Sequence, residues 1–155
     1  MSDSRRSGRH ARYRAVVADG DAARRALLTA ALESVGFHAT AVHDGQELLD
    51  LLEMTPPRHF RLVVAAQHMP RLFGTEVLAR SSNRRARWVI VATDATPELE
   101  ATAESYGAHA VVRLPLDVAG RSPVPRCRSE RRDRLRARGL RVARALSLFR
   151  DRRAL

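Results

Sequence analysis

The chain contains no lysine: all 28 of its basic residues are arginine. A coding bias toward GC-rich codons produces that pattern without selection, so arginine abundance alone does not indicate nucleic acid. One cysteine, Cys127, in 155 residues excludes an internal disulfide and makes a cytoplasmic home the default. No apolar run approaches the roughly 20 residues of a membrane span. Residues 1–13 are polar and arginine-rich, with none of the apolar core of a signal peptide. The arginine-rich end has no interleaved aromatics of the kind that stack on bases. No nucleophile–base pair and no metal-ligand cluster stands out, so an enzyme is the least favoured class. Asp19-Gly20-Asp21 has a calcium-loop flavour, but the rest of an EF-hand loop is missing.

What is present is a body of ordinary hydrophobicity, 45% apolar, at a length that suits one domain with a sizeable core. The net charge of +11 belongs to the ends. Residues 14–117 hold 11 Arg against 13 Asp and Glu, a net of −2. Residues 1–13 carry +3, and residues 118–155, with 13 Arg against 3 acids, carry +10. Three segments follow: a disordered basic arm (1–13), a folded body (14–117) and an arginine-rich tail (118–155).

Within the body, short apolar strands alternate with helices five times. Strands are expected at 14–18, 37–42, around 61–66, at 88–92 and at 110–114. Helices are expected at 22–35, capped by Asp21 and closed by Gly36, and after Asp44 up to Thr55-Pro56-Pro57. Two more are expected at 74–80 and 97–106, with a polar loop at 81–87 between 74–80 and the fourth strand. The alternation predicts a doubly wound parallel α/β sheet. The third strand, an apolar run ending at Ala66 before Gln67-His68-Met69-Pro70, reads as its buried centre. In such sheets chemistry gathers at the carboxyl ends of the strands. No carboxylate follows Ala66 until Glu76.

Val16-Val17-Ala18-Asp19, the third strand, Met69-Pro70 with Gly74, Thr93, Gly107-Ala108 and Leu114-Pro115-Leu116-Asp117 together resemble the receiver domain of bacterial two-component response regulators. The resemblance covers about residues 13–117. It implies a flavodoxin-like sheet in the order 2-1-3-4-5. It also implies a set of site positions, most of them altered here. Ala18 and Asp19 stand where two acids hold magnesium. Ala66 stands at the phosphoacceptor aspartate. Thr93 matches the hydroxyl that bonds the phosphoryl group. Leu114 replaces the lysine before the proline, and Val111 replaces the aromatic switch residue. An aspartyl phosphate needs a carboxylate nucleophile, and a methyl group cannot supply one. Phosphoryl transfer works by positioning and charge neutralisation through a metal and a cation. Asp19, with the carbonyl of His68, is a poor anchor for a magnesium ion, so binding is expected to be weak or absent.

Residue type alone favours Asp19 as a turn or capping residue over a leftover metal ligand. Thr93 reads equally as a relic of the pocket and as an ordinary strand end. His68, as a loop histidine, is solvated rather than an alternative phosphoacceptor, and Trp88 packs at the start of the fourth strand. Leu135, Val142, Leu146 and Phe149 share a helical face in the tail, which makes a late amphipathic helix a candidate for the missing last helix. The expected function is a pseudo-receiver, not switched by phosphorylation, that binds a signalling protein. The resemblance puts its docking face around residues 97–106 and 111–114. The alternative is a small nucleic-acid-binding regulator gripping phosphates with residues 121–155; a solvated tail is the plainer reading.

Overall fold

The computed structural model describes residues 13–83 and 85–114. Of the arm expected at 1–13, Tyr13 opens the first strand and residues 1–12 lie outside the described residues, as do the tail at 118–155 with its candidate helix and Cys127.

Five strands form one parallel sheet: β1 (Tyr13–Ala18), β2 (Phe37–Val42), β3 (Leu62–Ala66), β4 (Arg87–Ala92) and β5 (Ala110–Arg113). Their order is β2-β1-β3-β4-β5. Four helices connect them: α1 (Ala22–Ser34), α2 (Gly45–Met54), α3 (Gly74–Arg80) and α4 (Pro97–Ser105). β3 pairs with β1 on one side and β4 on the other, and all five of its residues are buried. A strand covered on both faces has no polar alternation, which is why Leu62 to Ala66 is uniformly apolar.

Strand residues still alternate between two cores. Val16, Ala18, Val63, Ala65, Trp88 and Ile90 join Leu48, Leu52, Val77 and Leu78 on the face of α2 and α3. Ala15, Val17, Leu62, Val64, Val89 and Val91 join Leu28 and Leu32 of α1 on the other. Asp21 caps α1 by accepting from the Arg24 N–H at 2.8 Å, and Asp44 caps α2 through the Glu47 N–H at 2.7 Å. α1 ends at Ser34 rather than Val35, because Gly36 (φ 94°) already turns the chain out of the helix. Gly107 (φ 100°) does the same beyond α4, which ends at Ser105.

The sequence reading needs two corrections. The strand expected at 110–114 is not buried like the others: Val112 is only half-buried, since β5 forms the edge of the sheet and its neighbours flank it on one side. The polar loop expected at 81–87 gives up Arg87 to β4 and is partly buried. Ser81 and Asn83 are buried there, and their side chains hold backbone N–H groups at Asn83, Arg85 and Ala86. Polar residues thus stand in for regular backbone pairing where the chain turns into β4.

Candidate functional site

Strand order reverses between β1 and β3, and in an open α/β sheet the crevice outside the carboxyl ends at such a point is the usual binding site. A pocket of about 20 Å³, enough for about one water molecule, opens beside that point, at the carboxyl ends of β3 and β4. Ala66 at the end of β3, Ala92 and Thr93 at the end of β4, and Leu114 after β5 line it. His68 and Arg24 complete the wall. Three sequence-selected residues, Ala66, Thr93 and Leu114, therefore do meet. Ala18 and Asp19 are fully buried outside this lining. Val111 lies apart, in a shallower groove of about 360 Å³ with Glu100, Glu104 and His109 between α4 and β5.

Two loops shape the pocket. After β3, Gln67 accepts from the Thr75 N–H and donates to its hydroxyl, while the Gly74 N–H donates to the Gln67 carbonyl at 3.0 Å. A Cβ on Gly74 would stand 2.6 Å from the Ala66 carbonyl oxygen, so the loop closes this tightly only with glycine. The exposed ring of His68 meets Phe73 edge-on at 5.5 Å. After β1, Gly20 lies against Pro70 of the β3–α3 loop, tying the two loops together.

The residue that sequence reasoning missed is Arg24. Its Nε donates to Asp19 Oδ2 at 2.9 Å and its Nη2 to Asp19 Oδ1 at 2.8 Å, a two-pronged pairing. The Asp21 N–H adds a third bond to Oδ1 at 2.9 Å. Arg25 Nη1 donates to the Asp19 carbonyl at 2.7 Å. Asp19 is fully buried, whereas the Arg24 side chain is one-third exposed. The hydrogen bonds to Asp19 raise the Arg24 pKa above its ordinary value, burial opposing them. A signal was available. Arg24 and Arg25 sit in the first turn of a helix with no acidic residue in that turn, where the helix dipole disfavours cations. Two such arginines imply a nearby acceptor.

His43, Asp44 and Glu47 bring ligand-type atoms within 4.8 Å of one another at the start of α2. Those carboxylates are already engaged. Asp44 caps the helix, with Arg71 Nε 3.8 Å away, and Glu47 accepts from the His43 N–H at 3.2 Å. The backbone bond from Glu47, then the charges of Arg71 and His43, lower the Asp44 pKa against the opposing effect of burial. The group is a helix cap.

No family model and no curated protein matches the sequence. Solved structures do match. The phosphorylated cyanobacterial phytochrome response regulator RcpA aligns over 92% of this chain and 97% of its own, with a TM-score of 0.70 at 15% identity. The receiver domain of Francisella response regulator 1452 aligns over 83% and 98%, at 0.60 and 21%. Chemotaxis protein CheY4 of Vibrio cholerae aligns over 68% and 88%, at 0.60 and 18%.

The fold is that of a response-regulator receiver domain.

The receiver fold implies a magnesium ion at this end of the sheet, and the donor set here does not suit one. Magnesium takes oxygen ligands in near-octahedral geometry. Ala18 and Ala66 offer methyl groups, and both oxygens of Asp19 are held by a guanidinium. Among the described residues, no helix is long and apolar enough to cross a membrane.

Proposed function

We propose that the chain is a signalling module of two-component type that takes up no phosphoryl group and acts through protein–protein contact. The observation that carries this reading is the lining of the switch-point pocket by Ala66, Thr93 and Leu114, with Asp19 sequestered by Arg24. In the receiver scheme Ala66 stands at the phosphoacceptor position and Leu114 at the cation. The pocket then offers no carboxylate nucleophile, no free carboxylate for a metal and no ammonium group.

The groove beside Val111 supports the partner-binding half of the reading. It is open, lies between α4 and the edge strand β5, and carries Glu100 and Glu104. A protein partner presenting basic side chains fits it. Nucleic-acid binding through residues 121–155 is the second reading; only the segregation of charge in the sequence favours it.

Incubation with acetyl phosphate and magnesium, followed by intact-mass spectrometry, tests the first half. The wild type should gain no phosphate. Ala66→Asp alone should label very slowly, because each missing electrostatic stabiliser costs about two to three powers of ten in rate. Ala18→Asp, Ala66→Asp and Leu114→Lys combined with Arg24→Gln, which frees Asp19, should label much faster and require magnesium. Robust labelling of the wild type, for instance at His68, would overturn the reading.

A further inference from the structure

We propose that Arg24 is the resident cation of this site: a tethered guanidinium that holds the charge-neutralising role of a divalent ion and makes the fold indifferent to magnesium. Asp19 is fully buried, and a buried carboxylate needs a compensating charge. Arg24 meets it with two parallel bonds at 2.9 and 2.8 Å, which suit a guanidinium and which an ammonium cannot copy. The same side chain reaches the wall of the pocket, beside Ala66 and Thr93. The Asp21 N–H supplies the remaining bond to the carboxylate. Both oxygens are thus engaged from within the chain, so a dissolved cation would have to displace Arg24 to take Asp19 as a ligand. The geometry accounts for the alanines as well: with the guanidinium in place, carboxylates at 18 and 66 are not needed to hold an ion. The state of the site is then set by folding and not by ligand concentration.

This inference rests on reading the pocket as a receiver-type site, and its test does not involve phosphoryl uptake. The full chain is melted with and without millimolar magnesium or manganese, and manganese binding is followed by calorimetry. The wild type should show neither a shift in melting temperature nor binding heat. Arg24→Gln leaves the buried carboxylate without its cation. It should melt on the order of 10 °C lower and recover part of that loss in manganese. Asp19→Asn combined with Arg24→Gln removes both charges, and its melting temperature should not respond to either ion. If Arg24→Gln fails to fold, Arg24→Lys serves instead: it keeps the charge but not the paired bonds, so both the loss and the manganese response should be smaller but measurable. A divalent-cation shift or binding heat in the wild type would sink the proposal. So would an Arg24 variant that melts normally and ignores both ions. Phosphate uptake by the wild type would count against the proposed function and leave this result standing.

Discussion

Asp19 and Asp44 each follow a strand of the sheet, and their surroundings give them different roles. Asp44 turns its carboxylate onto a helix N-terminus, while Asp19 turns its own onto Arg24. Breaking a buried pair by removing one partner costs about 3–5 kcal/mol, and the partial exposure of Arg24 places its loss toward or below the low end. His109 titrates against the fold. Its Nδ1 accepts from the Trp88 N–H at 3.2 Å, and burial of the ring, then the charge of Arg87, holds its pKa below the ordinary value of 6.5. Below that value the unfolded chain binds the proton more readily, so stability is full above it and is lost as pH falls through the lower folded value. The drop in melting temperature from about pH 7.5 to about pH 5.5 should therefore be larger in the wild type than in His109→Gln. Equal drops would show that the Trp88 bond does not sense protonation. Gly74→Ala should cost about 1–3 kcal/mol in urea unfolding, because a Cβ 2.6 Å from a backbone oxygen forces the β3–α3 loop to shift. A loss below about 0.5 kcal/mol would mean the loop yields freely.

At the scale of the element, α1 begins against the usual charge rule. Its first turn carries Arg24 and Arg25 and no acid. Both side chains fold back over the β1–α1 loop, one to the Asp19 carboxylate and one to its carbonyl, so they brace the loop against the helix start. Asp21 is the acid that caps the helix. Its pKa is lowered by the Arg24 N–H bond it accepts, with burial opposing and the charge of Arg24 adding. Asp21→Ala should cost about 1 kcal/mol as a lost cap. The corresponding change at Thr96, which caps α4 through the Leu99 N–H, should cost about as much or less, since it carries no arginine network. Chemical denaturation of both variants checks the order, and a much larger loss at Thr96 would contradict it.

At the scale of the molecule, a nearly neutral body is joined to a tail of net charge +10. Proteins captured from lysate by the full chain should stay bound through washes from about 50 to about 200 mM salt. Nucleic acid held by six or more phosphate contacts loses about a thousandfold in affinity over that range. Mass spectrometry of the eluates, with and without nuclease, distinguishes the two. Protein partners that vanish with nuclease would move the functional reading to the tail.

The parallel sheet was legible because its local signals agree. Apolar strands of four to six residues, aspartate caps at 21 and 44, and glycines at 36 and 107 each determine structure within a few neighbouring positions. The resemblance supplied the strand order, and it also marked Ala66, Thr93 and Leu114, which the fold brings to one pocket. The sequence by itself thus determined which of those positions carry no functional group, since an alanine or a leucine lacks one in any fold. Tertiary structure alone decided what Asp19 is paired with. Whether Asp19 is a turn residue, a metal ligand or half of an ion pair depends on where a guanidinium five residues away is aimed. The edge position of β5, which leaves Val112 half-buried, and the burial of Asn83 depend likewise on packing between distant segments, which no local pattern encodes.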